Sequence, residues 1–420
     1  MQELISYLNN SPTAFHAIKN VEDKLKKNNF EKLNEATNWE LVPGKSYYVI
    51  RNTSSIIAFK IPTSVGNGFH IVASHSDSPS FKLKPNSSIV DMRNNFSKVN
   101  TEPYGGMITY SWMDRPLGVA GRIFVEDEEA IIEELVNFKE TLVIPSVAIH
   151  LNRSGEWKPN PQVDLLPLLG DGSKSFNDLL KEYANNKNVL ASDLFLYNKE
   201  EGTTYGTNNE YILSGRLDDL ECAYTSMEAL IKSDPKVIAV SCVFNNEEVG
   251  SRSNNGADST FLSDTLKRIS ESLKVNMECM LANSFMVSSD NAHGVHPNHP
   301  ELSDPTNMVY LNKGVVIKHQ AGLNYTTDGY SEAVFKKICK LANVPYQDYT
   351  NRSDQRGGGT LGAISLSHVS VPSVDIGLAQ LSMHSTLETA GTTDVEYMIN
   401  ALQKYFEVEL NKENNTVIVK

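Results

Sequence analysis

Five short apolar runs in this 420-residue chain are each followed by a residue able to ligate a metal, which restricts the fold to one in which distant strand ends converge. Ile71 to Ser74 leads into His75, and Tyr211 to Leu213 comes shortly before Asp218-Asp219. Val243-Phe244 runs into Asn245-Asn246-Glu247-Glu248, Phe285 to Val287 precedes Asp290, and Leu378 to Met383 precedes His384. Open α/β sheets bind ligands in the crevice beyond the carboxyl ends of their strands, so residues far apart in sequence can meet there.

From Tyr211 onward, apolar runs alternate with polar loops and helix-length segments: Leu220 to Ser233, Val237 to Phe244, Phe261 to Leu273, Met280 to Val287, Ser331 to Ala342, Ser370 to Ile376 and Val395 to Phe406. That rhythm predicts an α/β fold, a mostly parallel sheet with helices on both faces. Residues 1–35 read as helical, with Ser11-Pro12-Thr13 offering an N-cap followed by proline at the first turn. Strands are expected at Tyr47 to Ile50, Ile56 to Ile61 and His70 to Ala73, and an exposed turn at Glu126 to Glu129. The texture changes after Pro79 while the His75 strand belongs chemically with the later ones, so residues 88–208 are expected to form an inserted second domain. Residues 1–87 and 209–420 would make the discontinuous catalytic domain.

Charge and composition narrow the function. Lys plus Arg total 38 against 51 Asp plus Glu, a formal charge of -13 that repels phosphate backbones and anionic membranes. Neither nucleic acid nor membrane is therefore an expected partner. The start of the chain lacks a basic region and a long apolar stretch, and no run approaches the roughly 18 apolar residues of a membrane span. Cys222, Cys242, Cys279 and Cys339 are scattered with no C-x-x-C pair, so we read them as small core residues in a reducing, cytoplasmic compartment.

The ligand types define the chemistry. In Ser74-His75-Ser76-Asp77, the alternation of an extended chain puts His75 and Asp77 on one face, where Asp77 can orient the imidazole. Imidazole and carboxylate ligands without cysteine suit zinc, with manganese and cobalt as alternatives, and a bridging carboxylate holds two divalent ions roughly 3.5–4 Å apart. We assign Asp218 as the bridge, His75 and Asp290 to one ion, and Glu248 and His384 to the other. Two dications against three ligand carboxylates leave about one positive charge, which favours a shared hydroxide near neutral pH. Glu247, beside a ligand and free to face that water, is the expected general base. Each piece has a plainer reading: a lone strand-end histidine is usually structural, a Glu-Glu pair is usually a solvated turn, and Asp218-Asp219 can cap a helix. Their joint occurrence carries the argument.

Together, His75-Ser76-Asp77-Ser78-Pro79, Ser214-Gly215-Arg216-Leu217-Asp218-Asp219-Leu220, Asn245-Asn246-Glu247-Glu248-Val249-Gly250-Ser251, Ser289-Asp290-Asn291-Ala292-His293-Gly294-Val295-His296 and Met383-His384-Ser385 resemble the aspartyl aminopeptidase family of di-zinc exopeptidases. The resemblance implies a phosphorylase/hydrolase-like catalytic α/β domain, with residues 88–208 as an inserted β-rich dimerisation or lid domain, dimers assembled into a tetrahedral dodecamer, and removal of N-terminal residues from peptides. The family's ligands fall by position on His75, Asp218, Glu248, Asp290 and His384, and its base on Glu247. His150, in Ala148-Ile149-His150-Leu151, resembles the histidine that reaches a neighbouring subunit's site and stabilises the oxyanion. His293 and Lys318 resemble residues lining the pocket for the substrate's N-terminal side chain, and a lysine there would favour Asp or Glu by charge pairing. Asp219 stands where relatives often carry Asn. A neutral, Leu-like preference, a silent scaffold or cargo-binding assembly, and cleavage of another amide are the rival readings. Two other signals carry less weight. The prolines in His293-Gly294-Val295-His296-Pro297-Asn298-His299-Pro300 prevent a helical metal face. Arg356-Gly357-Gly358-Gly359-Thr360 lacks a P-loop lysine and reads as a close-approach turn entering a helix.

Overall fold

The strand Phe69–His75 is buried along its whole length, as expected for an apolar segment covered on both faces. In the computed structural model, which describes residues 1–91, 93, 95–153 and 157–420, it lies at the middle of a nine-stranded sheet. The strand order is Glu31–Lys32, Ser46–Arg51, Ser55–Lys60, Ile238–Phe244, Phe69–His75, Phe285–Ser289, Ser373–Gly377, Val315–His319 and Tyr346–Thr350. The four central strands, from Ile238–Phe244 to Ser373–Gly377, are mutually parallel. Antiparallel pairings flank them: Ser55–Lys60 with both of its neighbours, and Val315–His319 with Ser373–Gly377. The sheet is therefore mixed, and the parallel pattern holds where the ligand-bearing strands lie.

Side-chain alternation divides the core in two. Val72, Val243, Val287 and Val374 pack toward one face, with Cys222, Leu230, Phe335 and Leu402 of the helices Leu217–Lys232, Gly329–Ala342 and Thr392–Glu407. Ile71, Val240, Cys242 and Met286 pack toward the other, with Phe261, Leu266 and Leu361 of the helices Phe261–Leu273 and Leu361–Ser365. A six-stranded antiparallel sheet spans Ser80–Asp91 to Val189–Asn198 and has its own core around Trp112, Val119, Phe138 and Leu196. Its hydrogen bonding begins at Ser80, before residue 88, while Thr203–Tyr205 pairs with Tyr211–Ser214 in a third, five-stranded sheet. Glu128 and Glu129 form the turn joining Leu117–Asp127 to Ala130–Asn137.

Three local expectations need correction. The N-terminal segment forms two helices, Gln2–Asn9 and Ala14–Lys27, followed by the short strand Glu31–Lys32 rather than continuous helix. Thr13 is the N-cap of the second helix but supplies no side-chain cap, because its hydroxyl bonds to His16 Nδ1 at 2.9 Å. Cys222, Cys242 and Cys339 are buried as expected, whereas Cys279 is exposed near the start of the Met277–Ala282 helix.

His70 illustrates how the central strand is tied to its helical cover. It is 1% exposed, its Nδ1 bonds to the Tyr405 carbonyl at 2.8 Å, and its ring stacks on Tyr405 at 4.8 Å. Burial pulls its pKa from the ordinary 6.5 down to about 4, with the Tyr405 carbonyl opposing. Between those values the unfolded chain holds a proton that the folded chain excludes, so His70 costs stability as pH falls from about 6.5 and costs nothing above it. At pH 5 that cost is about 2 kcal/mol. We expect His70→Asn to be less stable than wild type at pH 7, with the gap narrowing by about this amount at pH 5 in urea unfolding at matched metal loading. A gap independent of pH would show that His70 does not titrate this way.

Candidate metal centre

The carboxyl ends of the parallel strands deliver the site. His75 ends Phe69–His75 and lies in register with Phe244, so Glu247 and Glu248, on the turn just beyond, hang over it. Asp290 follows Phe285–Ser289 directly. Asp218 opens the helix Leu217–Lys232, where Asp218 and Asp219 have non-helical dihedrals and a cis peptide between them. His384 sits in a turn after Ala379–Leu381.

These side chains form three overlapping groups: His75, Asp218, Asp219 and Asp290; His75, Glu247 and Glu248; and Asp218, Glu248 and His384. Within each group the ligand atoms lie within 4.8 Å of one another. Asp218 is central, with Oδ1 3.4 Å from His75 Nε2 and Oδ2 3.3 Å from His384 Nε2. Glu248 Oε1 lies 3.4 Å from the same His384 nitrogen. Asp218 Oδ1 is buried and makes no hydrogen bond, nor does Asp219 Oδ1. Buried oxygens without donors beside imidazole nitrogens fit divalent cations, and a donor set of imidazole and carboxylate without thiolate suits zinc.

Carboxylates outside this ring hold it in shape. Asp77 accepts from the backbone N–H of Glu247 at 3.1 Å and of Glu248 at 3.2 Å, and from Tyr104 Oη at 2.7 Å. His75 Nδ1 is oriented mainly by the Asp77 backbone carbonyl at 3.1 Å, with the Asp77 carboxylate farther away at 3.5 Å. Asp77 thus steadies the Glu247–Glu248 turn as well as the imidazole. Asp219 accepts the His75 backbone N–H at 3.0 Å.

Sequence reasoning missed Glu388. It is 2% exposed and accepts the backbone N–H of Asp218 at 3.1 Å through Oε2 and that of His384 at 2.7 Å through Oε1. One carboxylate therefore ties together two segments that are remote in sequence. Its signal was slight: an acidic residue four positions after His384, on a strand, Glu388–Gly391, that pairs with Tyr211–Ser214 upstream of Asp218.

Like charges crowded in a low-dielectric pocket set the protonation preferences of the metal-free protein. Burial raises Glu247 to about 8, aided by Asp290, Asp77 and Asp218 and opposed by His75. Burial likewise raises Asp290 to about 6, against Lys318 and His75. Asp218 resists its own burial because the imidazoles of His384 and His75 hold its carboxyl well below the usual range.

A cavity of about 330 Å³ opens onto the ligands, with His293, Lys318, Tyr325, Gly358, Gly359 and Met383 among its walls. Lys318 is 2% exposed and its Nζ donates to the backbone carbonyls of Asp290 at 2.8 Å and Asn291 at 3.3 Å. Most of its donor capacity thus secures the segment carrying Asp290. The glycine loop leads through Thr360 into the helix Leu361–Ser365, and a side chain at Gly358 would meet nothing within 4 Å, so packing does not demand glycine there. His296 and His299 are exposed and away from the cluster, their rings 5.2 Å apart. His150 lies on an exposed turn closed by the Leu151 N–H bond to the Ala148 carbonyl, outside this cavity.

A buried histidine and carboxylate cluster at the strand ends of an α/β sheet defines a metallohydrolase-type centre, and comparison with known proteins narrows the class. The model of the aminopeptidase I zinc metalloprotease family, M18, matches residues 7–406. The probable M18 family aminopeptidase 2 of Clostridium acetobutylicum is 42% identical, over 97% of this chain and 98% of its own length. Among solved structures, yeast aminopeptidase 1 superposes with a TM-score of 0.85 at 26% identity, covering 96% of each chain. The S. cerevisiae mApe1 dodecamer gives 0.83 at 26%, covering 96% of this chain and 95% of that one. The Thermotoga maritima M18 aminopeptidase, at 22% identity and a TM-score of 0.87 over 97% and 95%, shares the fold. The chain belongs to the M18 family and is a metallo-aminopeptidase, a hydrolase of the zinc-dependent kind. Among the described residues, no helix is long and apolar enough to cross a membrane.

Removing the Glu388 carboxylate by Glu388→Ala should release the amides of Asp218 and His384 together. Metal affinity is expected to fall about 10–100-fold, measured by competition with a chromogenic chelator. Unchanged affinity would reduce Glu388 to a packing role.

Proposed function

We propose that this aminopeptidase binds two divalent ions, most simply zinc, and releases the N-terminal residue of peptides with a preference for Asp or Glu. The observation that carries this reading is the convergence of His75, Asp218, Glu248, Asp290 and His384 around two adjoining groups that share Asp218. Asp218 would bridge, His75 and Asp290 would complete one ion's protein ligands, and Glu248 and His384 the other's. When bound, the ions would polarise the scissile carbonyl and make water a better nucleophile.

The chain's own groups would do the proton work. Glu247, on the same turn as Glu248 but outside the proposed ligand set, would take a proton from the attacking water and pass it to the leaving amine nitrogen. The bond from its N–H to Asp77 fixes the backbone of that base. Selectivity for acidic residues would come from the positive side of the cavity, where buried Lys318 lies, with the more exposed His293 beside it. Because Lys318 already supports two carbonyls, the substrate carboxylate would meet a partly committed ammonium. A Leu-like preference remains the rival on this point.

In this reading residues 88–208 are the inserted dimerisation or lid unit, and the chain forms dimers within a tetrahedral dodecamer. Val147, Ile149 and Leu151 are 56%, 69% and 82% exposed around His150, an apolar loop suited to burial against another subunit. The dodecamer of the yeast relative supports the same assembly. His150 would then serve a neighbouring site as an oxyanion partner. The unpaired thiols support a reducing, cytoplasmic setting.

The decisive experiment is rates on matched peptides beginning with Asp, Glu, Leu or Lys, after chelation and after adding back zinc, manganese or cobalt, in wild type and Glu247→Gln. Metal-restored release of Asp or Glu is expected, with kcat lowered about 10²–10⁴-fold in the variant at unchanged metal content. Restored release of Leu alone would sink the acidic preference, and near-normal variant turnover would remove Glu247 as the base. N-acetylated peptides should resist cleavage, which separates an aminopeptidase from a deacylase. Co-assembly of His150→Ala with Glu247→Gln subunits should recover activity above the sum of the two separate variants. No recovery in confirmed mixed oligomers would place His150 outside the neighbour's site.

A further inference from the structure

Part of the wall of the metal cavity comes from two loops: residues 320–328, which carry Tyr325, and residues 356–360, which carry Gly358, Gly359 and Thr360. One side chain ties both of them down. Asp375, 0% exposed on the central strand Ser373–Gly377, accepts the Thr360 hydroxyl through Oδ1. Its Oδ2 accepts the Thr326 N–H and, at 2.8 Å, the Thr326 hydroxyl. The Asp375 N–H in turn donates to the Thr327 hydroxyl at 2.9 Å. Hydrogen bonds to a carboxylate are stronger than those between neutral groups, so the tie is firm. Asp375 pairs in the sheet with Ser288, two residues before Asp290, which refers both loops to the strands that deliver the ligands.

Packing accounts for only the first of the loop's three glycines. A Cβ on Gly357 would overlap Asn351 Nδ2 and Gln320 Nε2. One on Gly358 would meet nothing within 4 Å, and one on Gly359 would make ordinary contact with Asn324 at 3.4 Å. Neither Gly358 nor Gly359 has the left-handed φ that favours glycine. Both are exposed, and among the described residues neither of their N–H groups has a hydrogen-bond partner in the protein. Glycines that the fold itself does not need, with open donors on a cavity wall, suit the close approach of a ligand's main chain.

We propose that Gly358 and Gly359 form the surface against which the substrate's main chain lies, their amides donating to the carbonyl of its second residue, and that Asp375 positions this surface. The proposal rests on the two-ion reading above, in which the ions take the carbonyl of the first residue. The next acceptor along the peptide is then the carbonyl of the second. Through Thr326 the same carboxylate holds Tyr325, whose ring lies 5.2 Å from Lys318 Nζ. Contact with the second residue and the pocket for the first therefore share one support.

The test uses the metal-loaded full chain and a pair of substrates sharing the N-terminal residue that is released fastest. One is its alaninamide, which carries the second carbonyl, and the other its isopropylamide, which lacks it. The leaving amines differ in basicity, so the quantity compared between proteins is the ratio of kcat/KM for the pair. Thr360→Val removes the hydroxyl donated to Asp375 at nearly constant shape. It is expected to lower the ratio roughly 3–10-fold, chiefly through KM for the alaninamide, at unchanged metal content. Thr360→Ser should restore the ratio. Gly358→Ala, which packing admits, should lower it by placing a methyl where the main chain lies. Asp375→Asn should lower it as Thr360→Val does, and if that variant does not fold, the two Thr360 variants decide. A ratio unchanged in either Thr360→Val or Gly358→Ala overturns the proposal, as does a loss in Thr360→Val that follows lost metal. Release of neither substrate by the wild type would overturn the two-ion reading itself, and the proposal with it.

Discussion

Asp218 is the interaction on which the site depends. It is a buried carboxylate between two imidazoles, His75 and His384, delivered by segments that lie far from it and from each other in sequence. Neither imidazole is geometrically bound to be there unless the sheet, the helix start and the turn after Ala379–Leu381 all reach their final places. Burial, with mutual repulsion added to it, pushes the carboxylates crowded around it, Asp219, Glu247, Glu248 and Asp290, toward protonation without cations. Divalent ions held there would convert that repulsion into attraction, which would link metal binding to consolidation of the site.

The support around the ligands consists largely of side chains gripping backbone amides. Asp77 holds the turn of Glu247 and Glu248, Asp219 holds His75, and Glu388 holds Asp218 and His384. Lys318 does the converse, donating to carbonyls beside Asp290. Because these contacts fix main chain, they position both the ligand and its neighbours. For Asp77, the same carboxylate that constrains a metal ligand also constrains the residue assigned as base. Under the proposed assignment, metal retention and proton transfer would therefore share mechanical support, and changes to these outer residues should reach both.

Much of the site was legible because its residues sit at predictable places. Apolar runs such as Ile71 to Ser74 and Phe285 to Val287 read as buried strands, and ligands just beyond parallel strands must gather at one edge. Less legible was anything that depends on which atoms face which. Asp77 could be seen as a partner of His75, but not as the acceptor for two amides on a turn about 170 residues away. Glu388 gave only a slight sign of its role, its place four residues after His384, since its other partner arrives through strand pairing that no local pattern encodes. Lys318 appeared in sequence as a free cation, whereas in the fold its ammonium is engaged with backbone carbonyls. The segment Ser11-Pro12-Thr13 does supply the N-cap, but it is Thr13, after the proline rather than before it, and its hydroxyl meets His16 instead of a helix amide.

Periodicity and residue chemistry by themselves determined the α/β character, the strands that would be buried and which strand-end residues carry metal-type donor atoms. Those properties depend on local apolar alternation and on intrinsic donor atoms. Tertiary structure decided which strands run antiparallel at the sheet's flanks, how the candidate ligands gather around Asp218, and which carboxylates grip backbone amides. These depend on distances between segments that only the packed chain brings together, and hydrogen bonding and Coulomb energy are lost within a few ångströms of misplacement.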